Sequence, residues 1–137
     1  MPITKDVEKI EALFKAFFAD VFSREHLQEG FAKLDKTIGI NYRDPEIKFA
    51  IECRKDGARF IPNKDGEISP DVTITMDWET AHKFWMDDLD LLSALLSRTI
   101  ILTGDFAALY NLRPLFKETS AIYQKLASEH LDGDGNI

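Results

Sequence analysis

Three carboxylates lie close together in the segment WMDDLDLLS, and their spacing makes them the strongest candidates for acid–base chemistry in the chain. Asp87, Asp88 and Asp90 interrupt a predicted helix. Like charges held together raise the pKa of one carboxyl group, which general acid catalysis requires. Solvated residues near a helix N-terminus show the same pattern, because the partial positive charge there stabilises carboxylates. We favour the second interpretation and predict no catalytic residue.

The potential metal ligands are scattered along the sequence. His26, His82 and His130 are far apart, each on a predicted helix among charged neighbours. None of them has a second ligand at the short spacing that is typical of zinc sites. We therefore predict solvated histidines and no metal site.

The segment DGDGN has the alternating oxygen ligands that open a calcium loop, at Asp132, Asp134 and Asn136. Such a loop also needs a bidentate glutamate at its twelfth position, and the segment stops before that position. We expect a flexible acidic tail over 132–137, beside a single domain over 1–131.

The sequence offers no motif for covalent or cofactor chemistry. Cys53 is the only cysteine, and it follows the two-residue alternation of IKFAIEC, so we predict a buried structural thiol. The G-x-S-x-G nucleophile elbow, the phosphate-binding G-x-x-x-x-G-K loop and the dinucleotide fingerprint are absent from the sequence. We predict a protein that is not an enzyme and that needs no cofactor.

The net charge limits the partners of this protein. A formal charge of −7 repels nucleic acids and anionic membrane surfaces over a Debye length of roughly 8 Å. No segment approaches the roughly 20 apolar residues of a membrane span, and residues 1–18 carry charges where a secretory signal needs an apolar run. We predict a cytoplasmic protein with no nucleic-acid partner and no stable membrane insertion.

Helical periodicity dominates the N-terminal part of the chain. Between Thr4 and Phe22, apolar residues recur every three or four positions and charged residues occupy the other face. This pattern predicts an amphipathic helix. Ser23 is a suitable N-cap for a second helix that ends near Leu34.

Strands follow these helices. The segments TIGINYR and EIKFAIECR alternate apolar and polar residues, so each predicts a strand with one buried face. Asp44 and Pro45 fit the turn between them. Asp56 and Gly57 predict a type I′ hairpin turn, in which both central residues have positive φ, and a third strand in ARFIP.

The second half of the chain mixes both periods. DVTITM predicts a strand, and Asp77 is a suitable N-cap for a helix that carries Trp78 and Trp85 on one stripe. LDLLSALLS predicts a short helix, TIILTG predicts a buried strand, and the segments 106–112 and 114–129 predict two helices divided at a proline. A long, mostly helical segment precedes the last strand, so we expect a crossover connection and a mixed sheet.

The segment PDVTITMDWETAHKFWMDDLDLLSALLSRTIILTGDFAALYNLRPL resembles the sterol carrier protein 2 family, in its prokaryotic stand-alone form. The shared features are a strand of the type D-hydrophobic-T-hydrophobic, an acidic helix start, a leucine-rich turn, and a strand that ends in Gly-Asp before the last helices. The matching residues are Asp71, Val72, Thr73, Ile74, Leu89, Leu92, Ile101, Gly104, Asp105, Leu109 and Leu112.

This resemblance implies an α+β fold in which helices cover a five-stranded mixed sheet and enclose an apolar tunnel. In the family, such a tunnel accepts sterols, fatty acids or acyl-coenzyme A. The C-terminal sequence DGNI differs from the peroxisomal address of the animal members. We therefore carry over lipid binding without sterol specificity.

The aromatic residues around the tryptophans have two interpretations, ordinary core or the wall of a cavity. Trp78 and Trp85 share one stripe of their predicted helix, whereas Phe84 lies about 100° away from it. This helix therefore has more apolar surface than one contact with a sheet covers. A ligand, a moving helix or a second subunit would cover the remainder.

Pattern and resemblance together predict a protein that binds a hydrophobic small molecule, such as a fatty acid, an acyl-coenzyme A or a sterol. The predicted lining residues are Phe84, Trp85, Leu92, Leu95, Leu96, Phe106, Leu109, Leu112, Leu115 and Phe116. Two alternatives stay open. One is a homodimerisation module that uses the phenylalanine stripe of the first helix and has a closed or vestigial cavity. The other is an accessory domain of an acyl-processing enzyme.

Overall fold

A computed structural model describes residues 3–63 and 66–131, which form six helices and one five-stranded sheet. The elements are α1 (Val7–Ser23), α2 (Glu25–Ala32), β1 (Thr37–Arg43), β2 (Ile47–Arg54), β3 (Gly57–Pro62), β4 (Val72–Asp77), α3 (Trp78–Trp85), α4 (Leu91–Leu96), β5 (Ile101–Gly104), α5 (Phe106–Tyr110) and α6 (Arg113–His130). The predicted order of elements and the α+β class are confirmed. The predicted tail and its calcium-like spacing, over 132–137, lie outside the described residues.

The sheet has the strand order β3-β2-β1-β4-β5. Strands β1, β2 and β3 form two antiparallel hairpins, and β1 pairs with β4 in parallel. The sheet is therefore mixed, as predicted, but the crossover is the loop between β3 and β4. The predicted crossover before β5 is wrong, because Ile101 begins β5 opposite Thr75, near the end of β4, and the connection does not cross the sheet.

Helix α1 buries one apolar face against the sheet, as its periodicity predicts. Its buried residues are Ile10, Leu13, Phe14, Phe17, Phe18 and Val21. Asp6 caps the helix by accepting hydrogen bonds from the backbone of Glu8 and Lys9. The predicted N-cap role of Ser23 is wrong, because its hydroxyl donates to the carbonyl of Asp20, one turn back in α1.

Two further local predictions need correction. The hairpin between β2 and β3 is present, but its loop residues are Lys55 and Asp56, and Gly57 already pairs with Arg54. Neither loop residue, Lys55 or Asp56, has positive φ, so the turn is not of type I′. Asp77 occupies the N-cap position of α3 without a capping hydrogen bond, and its carboxylate pairs instead with Arg43 at 3.2 Å.

Aromatic rings pack between the sheet and α1. The ring centroid of Phe14 lies 5.3 Å from that of Phe49, 5.4 Å from Tyr42 and 5.8 Å from Tyr123 of α6. On the other face of the sheet, Pro70 packs so closely on Gly39 that a Cβ there would overlap its ring.

Strand β5 is an edge strand, so the prediction of a buried strand is wrong. Its residues are half-buried or exposed, because no strand of the described sheet lies beyond it. The end of β5 lies so close to the start of β4 that a Cβ on Gly104 would overlap the carbonyl oxygen of Asp71. Gly104 also has a φ of 100°, which side-chain-bearing residues rarely adopt.

Candidate ligand-binding groove

A groove of about 400 Å³ lies between the connection from α3 to α4 and the start of α6. We call it the α4–α6 groove. It lies where α3 has ended and α6 begins: Asp87, with a φ of 62°, ends the turn after α3, and Pro114 lies in the first turn of α6. Its lining residues are Phe84, Asp87, Leu89, Asp90, Leu91, Leu92, Arg113, Pro114, Phe116 and Lys117.

The floor of the groove is apolar. Phe84 and Phe116 approach each other with ring centroids 5.5 Å apart, and both also contact the ring of Trp85. Leu92 leaves 49% of its surface exposed. An apolar chain on this floor would remove leucine and phenylalanine surface from water.

The polar residues of the groove carry both signs of charge. Asp87 and Asp90 come from the connection between α3 and α4, and Arg113 and Lys117 come from α6. Asp90 accepts a hydrogen bond from the Ser93 hydroxyl. Among the described residues, no ion pair joins the two sides of the groove. An amphiphilic ligand could therefore meet an apolar floor and unbridged charges at the rim.

The position of Arg113 is fixed by a neighbouring ring. Its guanidinium carbon lies 4.1 Å from the ring centre of Tyr110, and one of its nitrogens donates to the Tyr110 hydroxyl. Tyr110 in turn stacks on Phe106, with the ring centroids 5.5 Å apart. This series of contacts holds one cation of the rim in place.

The ten predicted lining residues do not form one wall. Phe84, Leu92 and Phe116 line the α4–α6 groove. Leu95 and Phe106 line a different groove of about 230 Å³, which runs beside strand β5 and which we call the β5 groove. The remaining five residues lie in neither groove: Trp85, Leu109 and Leu112 are buried, Leu115 is half-buried and Leu96 is 78% exposed.

Trp85 is part of the aromatic core. Its ring centroid lies 5.2 Å from that of Phe17 and 5.7 Å from that of Phe18, and its indole N–H donates to the Tyr42 hydroxyl at 2.7 Å. Burial raises the pKa of Tyr42 well above its ordinary value. Because these rings contact one another, the tunnel that the resemblance implies is not seen between the sheet and α1 in residues 3–63 and 66–131.

The surplus of apolar surface is concentrated on two short helices. Leu92, Leu96 and Phe106 are 49%, 78% and 44% exposed, and all three lie on α4 or α5. Ala94 of α4 and Leu109 of α5 are the buried residues of these helices. The prediction of uncovered apolar surface thus fits α4 and α5 better than α3.

Seven groove residues were not in the predicted lining set: Asp87, Leu89, Asp90, Leu91, Arg113, Pro114 and Lys117. Leu89 and Leu91 belong to the leucine-rich sequence after Asp88, so the local pattern could have indicated them. Arg113 and Lys117 are four residues apart, which places both on one face of a helix. Their relation to the leucines is a tertiary contact between distant segments, so no local pattern could reveal it.

A second apolar pocket, of about 200 Å³, lies between α1 and the hairpin of β2 and β3. Phe14, Phe49 and Phe60 contribute to its walls, with Lys15 and Lys48 beside them. Phe14 and Phe49 are almost fully buried there, at 1% and 3% exposure. Phe60 is half-buried, so it provides free apolar surface in this pocket.

His26, His82 and Cys53 have structural roles. His26 is exposed and pairs with Glu118 at 3.1 Å. The prediction that His82 is solvated is wrong, because it is partly buried with Nδ1 2.8 Å from the Tyr123 hydroxyl. Burial raises the pKa of Cys53 to about 12, which suits an inert thiol. Among the described residues, no three His, Cys, Asp or Glu side chains are placed to hold a metal ion.

The described helices also bear on membrane association. None of the helices within 3–63 and 66–131 combines the length and apolar composition that a membrane span requires.

Comparison with solved structures identifies the fold. The chain matches the solution structure of the sterol carrier protein domain 2 of Helicoverpa armigera with a TM-score of 0.66 and 17% identity, over 82% of this chain and 89% of that chain. It matches a conserved hypothetical protein, possibly a sterol carrier protein, from Thermus thermophilus with a TM-score of 0.60 and 22% identity, over 85% and 87% of the two chains.

A part of a larger enzyme has the same fold. The stereoselective inverting sec-alkylsulfatase from a Pseudomonas species matches with a TM-score of 0.56 and 22% identity, over 71% of this chain but 15% of the sulfatase chain. A search of curated proteins gave no match. The model of the SCP-2 sterol transfer family matches residues 14–117. Since this match spans more than half of the sequence, the chain belongs to the SCP-2 sterol transfer family.

Proposed function

We propose that this protein binds or carries a hydrophobic ligand in the α4–α6 groove and catalyses no reaction on it. The observation that carries the proposal is the apolar floor of the groove, in which Leu92 is half exposed beside Phe84 and Phe116. Family membership supports the same class of ligand: a fatty acid, an acyl-coenzyme A, a sterol or a similar lipid. The charge and the reduced buried thiol of Cys53 support action in the cytoplasm, without nucleic acid.

The affinity would come from the removal of apolar surface from water. Each methylene group buried on the floor contributes about 0.8 kcal/mol, so affinity rises with chain length until the floor is covered. Specificity would be loose, because apolar contacts are non-directional. Arg113 and Lys117 at the rim would attract the carboxylate or phosphate end of such a ligand.

Helix α4 is the element best suited to adjust to different ligands. Ala94 is its one buried residue, whereas α6 buries Phe116, Thr119, Ile122, Tyr123 and Ala127. A small shift of α4 therefore disturbs few contacts and would widen the groove. The sparse anchoring of α4 supports a site that admits chains of different lengths.

The accessory-domain alternative rests on a specific observation. A sulfatase contains this fold within a much longer chain, and the matching part is 15% of the sulfatase chain. In that alternative the groove would present or shelter an alkyl chain for an enzyme encoded elsewhere. The other alternative, a dimer through the first helix, loses its proposed surface because Phe14, Phe17 and Phe18 are at most 1% exposed within the chain itself.

Displacement of a fluorescent fatty acid from delipidated protein tests the proposal. Leu92→Asp places a charge on the floor of the groove and should weaken binding at least tenfold, because the ligand would have to desolvate a carboxylate. Val7→Asp is the matched control, since Val7 is also a partly exposed apolar residue, at 38%, but lies on α1. Equal affinities for wild type and Leu92→Asp would contradict the proposed site.

The non-enzymatic part of the proposal needs a separate readout. The protein is incubated with palmitoyl-coenzyme A and with a fatty acid, and the ligands are extracted and analysed by mass spectrometry. We expect both to be recovered unchanged and in complex with the protein. Hydrolysis or transfer that depends on the protein would contradict the proposal.

A further inference from the structure

The two edges of the sheet differ in their protection. At the β3 edge, the side-chain amide of Gln28 donates to the carbonyl of Ala58 at 3.0 Å and accepts a hydrogen bond from the Ala58 N–H. The strand also carries the charged Arg59 and ends at Pro62. Charges, prolines and covering side chains are among the features that prevent edge strands from pairing with other chains. The β3 edge is therefore blocked.

The β5 edge has none of these features. The sequence of Ile101–Gly104, ILTG, has no charge and no proline. In the part of the chain that the structure describes, no side chain forms a hydrogen bond with the backbone of these four residues. The β5 groove runs beside the strand and gives access to it. The outer backbone groups of β5 are thus available to a new strand.

Exposed apolar residues flank this open edge. Leu96 lies before β5 and is 78% exposed, and Phe106, the first residue of α5, is 44% exposed. A strand added to β5 would bring further surface over both residues. Backbone pairing and apolar burial would then stabilise the same contact.

The charges at the two ends of β5 indicate the partner. Arg98 precedes the strand, lines the β5 groove and forms no ion pair with the described residues. Asp105 follows the strand, caps Ala108 through Oδ1 and has Oδ2 4.0 Å from Lys36. In an antiparallel pair of identical strands, the cationic end of each strand meets the anionic end of the other. The edge is therefore complementary in charge to a second copy of itself.

We propose that two copies of this chain associate through their β5 edges, antiparallel and about a twofold axis, so that the two five-stranded sheets become continuous. Leu96 and Phe106 of each copy become buried in this interface, and Arg98 of each copy pairs with Asp105 of the other. This contact is separate from the α4–α6 groove and does not use the phenylalanine stripe of α1.

Charge-reversal variants at Arg98 and Asp105, alone and mixed, test the proposal. Sedimentation equilibrium of the wild type over a wide range of concentration should show a reversible monomer–dimer equilibrium. Arg98→Glu and Asp105→Lys should each weaken the dimer about tenfold, because two attractive pairs per dimer become repulsive. A mixture of the two variants should restore association, since opposite charges again face each other in the heterodimer. Arg59→Glu, at the β3 edge, is the matched control and should leave the equilibrium unchanged.

The mixture also controls for folding, since Asp105 caps α5 and its replacement costs some stability. A damaged variant would not regain association from its partner. Hydrogen exchange gives a second readout: the β5 amides of the wild type should become more protected as concentration rises, and the β3 amides should not. A strictly monomeric wild type would overturn the proposal. So would a dimer whose strength neither variant changes, or a mixture that associates no better than its components.

Discussion

The buried hydrogen bond between Trp85 and Tyr42 tests whether Trp85 belongs to the core. Its length is 2.7 Å, and both residues are at most 2% exposed. Trp85→Phe leaves the Tyr42 hydroxyl without its donor, which costs about 1–3 kcal/mol. The smaller ring leaves space that costs about 1–2 kcal/mol more. The total, about 2–5 kcal/mol, is a large part of the stability of an ordinary domain, about 5–15 kcal/mol.

A double-mutant cycle separates the hydrogen bond from the packing. Tyr42→Phe leaves the indole N–H without an acceptor, and the double variant removes both partners. We expect the free energies of unfolding in urea to show a coupling of about 1–2 kcal/mol between the two sites. Additive effects, within about 0.5 kcal/mol, would refute the structural role of this hydrogen bond.

Three further predictions concern stability and titration. Gly104→Ala should lower the free energy of unfolding by at least about 2 kcal/mol, because Gly104 has positive φ and an added Cβ would clash with Asp71. Gly66→Ala is the control and should cost less, since Gly66 also has positive φ but has nothing within 4 Å of an added Cβ. Equal losses in urea denaturation would contradict the clash. The thiol of Cys53, with its pKa raised to about 12, should react with a disulfide reagent near neutral pH only as fast as the protein unfolds, and rapid reaction of the native protein would contradict its burial. Burial raises the pKa of Tyr42 and Tyr123 above the ordinary value of 10, so their contribution to stability is complete below pH 10 and is lost as the pH rises above it. Phenolate absorbance from both tyrosines that develops before the protein unfolds would contradict this expectation.

The periodic elements were predictable because they depend on local pattern. The three- and four-residue spacing of α1 and the alternation in β2 and β4 reflect one buried face each, and the structure buries those faces. For β1 the prediction of a single buried face is wrong, because all four residues of 37–40 are buried. The caps were less predictable, because a polar side chain has competing partners. Ser23 bonds back into α1 and Asp77 pairs with Arg43, and neither partner is evident from the residues next to the cap.

The candidate site was only partly predictable for a tertiary reason. Apolar residues such as Trp85 and Phe84 are adjacent in sequence, yet one is enclosed by rings from α1 and the other borders a groove. Likewise, a run of β-branched residues does not reveal whether a strand such as β5 is central or at an edge. In both cases the answer depends on neighbours that are distant in the sequence.

The most direct test of the ligand site is a titration of the isotope-labelled protein with dodecanoate, followed by backbone amide chemical shifts. We predict saturable shifts at Phe84, at 87–92 and at 113–117, the segments that line the α4–α6 groove. The absence of saturable shifts would contradict ligand binding. Shifts confined to the pocket between α1 and the hairpin of β2 and β3 would show that the ligand binds elsewhere, and would contradict the proposed site.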